Sequence, residues 1–169
     1  YINPFTDFGF KKLFGSEPNK DLLIDFLNQL LPVHHKIKSL SFGKNEHGGL
    51  NEKDRRAIVD LSCTSEKGDK FIIEVQRARQ EYFKDRVLFY TSFVLQEQAQ
   101  KGKWNFELKP IYTISILEYN QDNVESKTSE VLHFVQLKDQ NNAVFYDKLT
   151  FIKIDLYNFA KEIGELETD

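Results

Sequence analysis

Between Arg56 and Gln76 the chain reads as two runs of β-branched and apolar residues on either side of the segment Glu66-Lys67-Gly68-Asp69. Such a pattern specifies a β-hairpin, with the glycine free to take the positive φ that a tight turn demands. The strands then cover roughly Arg56–Thr64 and Lys70–Gln76 and lie side by side. Side chains two apart on a strand share a face, so Glu74 and Gln76 project together, and Asp60 joins them from the neighbouring strand. Two carboxylates and one amide converge in an otherwise apolar strip. Carboxylate oxygens are the hard ligands that Mg²⁺ or Mn²⁺ prefers, and an ion held by two of them keeps positions for water and phosphate. An Asp and a Glu on adjacent strands also occur as solvated edge charges, and spacing alone leaves both readings open. Glu74, however, follows Phe71-Ile72-Ile73, where burial of a carboxylate is costly unless it meets a cation.

At 169 residues the chain has room for one domain with a substantial core, and too little for two. Apolar residues make up 40% and charged residues 29%, with 15 Phe and 7 Tyr, which describes a folded domain with an aromatic-rich core. The formal net charge of −3 means that attraction to nucleic acid must come from a local basic patch rather than the overall field. Cys63, the single cysteine, permits no disulfide within the chain and suits a reducing, cytoplasmic compartment. No uninterrupted apolar run approaches the roughly 18 residues of a membrane span, and no charged-then-apolar leader precedes the domain. The absence of Met and the helix-like ending at Asn158–Asp169 lead us to expect a fragment of a longer protein.

The remaining pattern predicts an α/β domain. Thr6 or Asp7 caps a short helix that ends at Gly15, and Leu22, Leu23, Phe26, Leu27, Leu30 and Leu31 recur at helical spacing up to Pro32. Residues 37–42 alternate like a strand, and Gly43–Asp54 forms a polar loop. A long helix is expected over about Ala78–Lys101, closed by Gly102. The unbroken apolar run Ile111–Leu117 predicts a central strand covered on both faces, with further strands over Val131–Leu137 and from Phe145 through Leu149–Leu156. The order is helix, three strands, helix, then more strands.

Arg55, Arg56, Arg77, Arg79, Lys84 and Arg86 crowd the candidate site in sequence, and guanidinium groups match phosphate with paired hydrogen bonds. The same residues also read as a wet helix face pairing with Glu81 and Asp85. Arg86 is the strongest candidate, because Tyr82, Arg86 and Tyr90 lie four apart and Gln76 leads into that helix. Asp7 and Lys11, one turn apart, could bring a further acid and cation toward the site or form an ordinary surface pair. Asp21 and Asp25 read more simply as acids near a helix N-terminus. His34, His35, His47 and His133 show no zinc-ligand spacing, and no glycine-rich nucleotide loop or Gly-x-Ser-x-Gly motif occurs.

The order α-β-β-β-α-β, with Asp60 on its second strand and Glu74-Val75-Gln76 on its third, resembles the PD-(D/E)XK nuclease superfamily. The flanking segments Asp7-Phe-Gly-Phe-Lys-Lys-Leu-Phe14, Leu27-Asn28-Gln-Leu30-Leu31, Lys53-Asp54-Arg55-Arg56-Ala-Ile-Val-Asp60, Ile73-Glu74-Val75-Gln76-Arg77 and Tyr82-Phe83-Lys-Asp-Arg86-Val-Leu-Phe-Tyr90 narrow the resemblance. Together they are similar to the PD-(D/E)XK nuclease family transposases, also called recombination-promoting nucleases, common in bacterial genomes. The resemblance implies a restriction-endonuclease-like αβββαβ core with a central mixed sheet flanked by helices, and a C-terminal extension beyond this fragment. By it, Asp60, Glu74 and Gln76 would be catalytic, with the metal, Mg²⁺ or Mn²⁺, on Asp60, Glu74 and the backbone carbonyl of Val75. Arg55, Arg56, Arg77 and Arg86 would contact DNA, and Asp7, Lys11 and Tyr90 would assist. The implied activity is metal-dependent hydrolysis of DNA phosphodiester bonds in recombination or transposition, on DNA alone, with no membrane or nucleotide cofactor and with a homodimer left open. Gln76 departs from the superfamily's lysine: an amide orients by hydrogen bonds, whereas lysine adds a cation. The alternative is therefore a catalytically weak or inactive DNA-binding or protein-interaction module that keeps the same fold.

Overall fold

The structure, a computed structural model, describes residues 6–48, 56–119 and 130–159, with the side chain of Asp7 not described. The hairpin forms as the sequence dictates: β4 (Leu61–Ser65) and β5 (Lys70–Gln76) pair antiparallel around Gly68, whose φ is 91°. Ser65 tightens the turn, its hydroxyl accepting the backbone N–H of Lys67 and Asp69 and donating to the Asp69 carboxylate at 3.0 Å.

Around this hairpin a mixed six-stranded sheet assembles in the order β1-β4-β5-β6-β8-β7. Its other members are β1 (Leu40–Phe42), β6 (Ile111–Leu117), β7 (Leu132–Lys138) and β8 (Val144–Asp155). The β5, β6 and β8 strands run parallel, which requires the crossover that α3 (Phe83–Gln96) provides between β5 and β6. A small ladder, β2 (Glu46–His47) with β3 (Ala57–Ile58), stands outside the main sheet. Together these elements make a single α/β domain compatible with a restriction-endonuclease-like core.

Both faces of the sheet are covered, which is why β6 is buried along its whole length and reads as a continuous apolar run. One face receives α1 (Asp7–Phe14) and α2 (Lys20–Leu30), whose Phe10, Leu23 and Leu27 pack with Phe71, Ile73, Ile114 and Ile152. The other receives α3, with Val94 on Ile72 and with Phe83 and Val87 on Leu117. On that second face Thr91 of α3 meets Thr113 of β6 at 2.9 Å. No helix among the described residues is long and apolar enough to cross a membrane.

Four expected boundaries shift, each for a local reason. The first strand contracts to Leu40–Phe42 because Asn28 takes the backbone of Ile37, while the Glu66 carboxylate takes the N–H groups of Lys38 and Ser39. The strand expected over Arg56–Thr64 breaks at Val59-Asp60, so Asp60 lies between β3 and β4 rather than within a strand. The loop after Gly43 contains β2. The long helix starts five residues late and stops five early relative to Ala78–Lys101, at Phe83 and Gln96. Tyr82 holds a left-handed φ of 56°, and Gln98 bonds both backbone groups of Lys109 on the lead into β6.

Candidate active site

In an open parallel sheet the carboxyl ends of the strands form the crevice where ligands bind. Glu74 and Gln76 occupy that end of β5, on the face covered by α3. Glu74 is only 5% exposed. Gln76 donates to its Oε2 at 3.2 Å, and the Arg86 Nη2 stands 3.9 Å from the same oxygen. Its other oxygen, Oε1, is buried without a hydrogen-bond partner.

Arg86 is held from three sides. Its Nη1 donates to Gln80, and its guanidinium lies over the rings of Tyr90 and Phe83 at 5.7 and 6.0 Å. The Nε and Nη2 groups are buried without hydrogen-bond partners. A carboxylate and a guanidinium thus sit side by side, each with unused hydrogen-bonding capacity, an arrangement that a native fold seldom retains without a ligand to complete it.

Asp60 reaches the site from the break between β3 and β4. Its Oδ2 accepts the backbone N–H of Val75 at 2.7 Å, and its Oδ1 faces Lys11 Nζ of α1 at 3.9 Å. Asn45 makes that break possible. Its side chain donates to the Asp60 carbonyl at 3.2 Å and accepts the Ser62 N–H at 3.1 Å, while its own carbonyl accepts the Val59 N–H at 2.8 Å. The backbone around Asp60 is therefore satisfied without continuing the strand ladder.

Burial first, and then the nearby negative charge of Asp60, push the Glu74 carboxyl up from 4.5 to about 7, with Arg86 opposing both. A buried acid whose charge its neighbouring carboxylate disfavours, and which has an oxygen lacking a partner, fits a divalent cation shared with that neighbour. The donor set is hard oxygen, as Mg²⁺ or Mn²⁺ requires. Val75 lies beyond the last β4 partner pair, Leu61 with Ile73, and its N–H points to Asp60. Among the described residues no third Asp, Glu, His or Cys joins a metal-binding group, and Asp21 and Asp25 remain on the exposed side of α2.

The other expected residues divide. Lys11, which reads more simply as half of a surface pair with Asp7, is next to Asp60, and Tyr90 is next to Arg86. Arg56 pairs with Glu46 at 2.5 Å and Arg77 with Glu118 at 3.0 Å, so both meet acids outside the carboxylate pair. Tyr82 caps α3 in an exposed position and does not share the helix face of Arg86 and Tyr90. Arg55 and the side chain of Asp7 lie outside the described residues. Asn45 and Gln80 were missed by sequence reasoning. Neither carries a motif, and each acts through a partner that the fold brings near.

Comparison with protein families gives a match to the PD-(D/E)XK nuclease family transposases over residues 4–169. Searches of curated proteins and of solved structures returned no match.

Proposed function

The chain belongs to the PD-(D/E)XK nuclease family transposases, a nuclease-fold family tied to transposition, and on that premise we propose that it is a divalent-metal-dependent DNA endonuclease acting in recombination or transposition. The observation that carries this reading is the buried pair at the end of β5: Glu74 with an unpartnered oxygen beside Arg86 with unpartnered donors. Asp60, Glu74 and the Val75 carbonyl hold Mg²⁺ or Mn²⁺ in this reading. When bound, the ion lowers the pKa of water and offsets negative charge on the phosphate under attack.

The chain's own groups do the rest. Arg86, fixed by Gln80, Phe83 and Tyr90, presents its free N–H donors to a phosphate oxygen. Gln76 fixes the rotamer of Glu74 through its amide and orients water by hydrogen bonds. Lys11 contributes a cation on the far side of Asp60, supplied from α1 where the superfamily's strand lysine is replaced by Gln76. Arg56 and Arg77 serve as DNA-backbone contacts at the periphery, a role compatible with partners exchanged for phosphate, and Arg55, next to Arg56 in sequence, is assigned the same role. The substrate is DNA and the compartment the cytoplasm, where the buried thiol of Cys63 stays reduced.

The second reading, a DNA-binding module without turnover, is favoured by one feature: Gln76 supplies no charge at the lysine position. Incubation of plasmid DNA with Mg²⁺ or Mn²⁺ separates the two. The nuclease reading expects cleavage that Asp60→Ala abolishes. Intact plasmid at high protein with either ion, together with retained DNA binding, favours the second.

A further inference from the structure

Beside the carboxylate pair, a cavity of about 480 Å³ opens between α3 and the β6–β8–β7 side of the sheet. It is joined to the candidate site by strand register. Glu74 on β5 is the partner of Ser115 on β6, Ser115 of Lys153 on β8, and Lys153 of His133 on β7. These four residues form one row across the face that α3 covers. Ser115, Lys153 and His133 also line the cavity. With strands about 4.8 Å apart, the cavity floor begins one strand from Glu74 and ends about 14 Å away.

The walls are unlike the floor. Phe83 of α3 and Phe151 of β8 supply rings, and Val135 and Leu137 of β7 close the side toward solvent. Lys84 stands at the rim. At the far end of the row His133 and Lys153 each lie 3.0 Å from Asp155, a carboxylate that is 1% exposed and whose Oδ1 lacks a hydrogen-bond partner. Apolar and aromatic walls over a floor of hydroxyl, imidazole and ammonium suit a flat heterocycle with polar edges. A volume of about 300–1,000 Å³ is usual for such ligands.

We infer that this cavity receives an unpaired nucleobase of the substrate strand, from the nucleotide adjoining the phosphate that would meet Arg86 and the cation at Asp60 and Glu74. The inference rests on the proposed DNA substrate and adds to it a preference. Stacking on phenyl rings tolerates any base, so the pocket selects for a base out of its duplex rather than for a sequence. A paired base must be unpaired and unstacked to enter, which costs free energy. Single-stranded or locally opened DNA is the favoured substrate. Lys84 adds positive charge at the rim, where the backbone of an entering strand would pass.

The test uses single-stranded oligonucleotides carrying 2-aminopurine or 5-iododeoxyuridine, with EDTA to prevent cleavage. The pocket predicts loss of 2-aminopurine emission on binding, no loss with the same base paired in a duplex, and photocrosslinks on peptides containing Phe83 or Phe151. Val135→Arg, at a position 52% exposed on the edge strand, extends across the opening. Its added positive charge favours DNA, so a loss of quenching with binding retained by anisotropy reports blockage. Phe134→Trp, on the opposite face of the same strand, leaves the quenching unchanged. Undiminished emission with the wild-type chain, quenching that survives Val135→Arg, or crosslinks confined to other peptides would overturn the assignment. So would binding of a hydrophobic dye that Val135→Arg blocks while the oligonucleotide probe is unaffected, which would mark a groove for another partner. Mn²⁺ titration reads the carboxylates separately. Mn²⁺ binding without quenching sinks the pocket alone, and quenching without Mn²⁺ binding supports the pocket while sinking the nuclease reading.

Discussion

The backbone N–H of Val75 donates to the Asp60 carboxylate at 2.7 Å across the point where the β4 ladder has already ended. A side chain thus replaces a strand as the partner of β5, and the bond both finishes the sheet and aims Asp60 at the site. Charge-assisted bonds of this kind contribute about 1.5–3 kcal/mol. Asp60→Ala is therefore expected to lower stability by about that amount in the metal-free protein, measured by urea denaturation. Asp60→Asn, which keeps an acceptor, should lose less than half as much.

Glu74 titrates far above an ordinary glutamate because burial, and then Asp60, disfavours its charge. Its folded pKa of about 7 lies above its unfolded value of 4.5, so between these values the folded chain keeps a proton that the unfolded chain has released. Stability of the metal-free protein should fall as pH rises through that window. Glu74→Gln removes that part of the slope. Arg86→Gln should raise the Glu74 midpoint, and Asp60→Asn should lower it, as read by carboxyl carbon chemical shifts.

Asn45 anchors the break that frees Asp60, through side-chain bonds to the Asp60 carbonyl and the Ser62 N–H. Asn45→Ala should cost about 1–3 kcal/mol by thermal or urea melting, since it removes the side-chain bonds to the Asp60 carbonyl and the Ser62 N–H. It should also weaken Mn²⁺ binding without removing either carboxylate. Full retention of both would mean that Asp60 is placed by other contacts.

The hairpin was legible because its information is local: β-branched runs, a glycine at the turn, and period-two placement of Glu74 and Gln76. The convergence of Asp60 on that pair follows from the same pattern. Its position off the strand does not, because Asn45 acts from 15 residues away and an asparagine in a polar loop carries no signal of its own. Arg86 was legible from its spacing to Tyr90, whereas Tyr82 fell off the helix face through a left-handed backbone that sequence does not announce. Arg56 and Arg77 looked like members of the same basic patch, yet their acidic partners, Glu46 and Glu118, are supplied by β2 and by the turn after β6. Such pairings are decided by tertiary proximity.

Gln76→Lys tests the one departure from the superfamily pattern. A cation at that position, 3.2 Å by the present amide from Glu74, should pull the Glu74 midpoint down from about 7. In the nuclease reading it should also raise Mg²⁺-dependent cleavage on the order of tenfold, as an added charge facing the phosphate would. A lowered midpoint with unchanged cleavage would assign the work of the lysine elsewhere, with Lys11 the residue to substitute next.

The proposed chemistry requires Asp60 and Glu74 to bind one divalent cation together. Calorimetric titration of the chain with Mn²⁺ at pH 8, where Glu74 is ionised, tests it most directly. One site per chain is expected, lost in both Asp60→Asn and Glu74→Gln, with affinity falling as pH drops below about 7. Absence of Mn²⁺ binding, or binding that survives both substitutions, would contradict it.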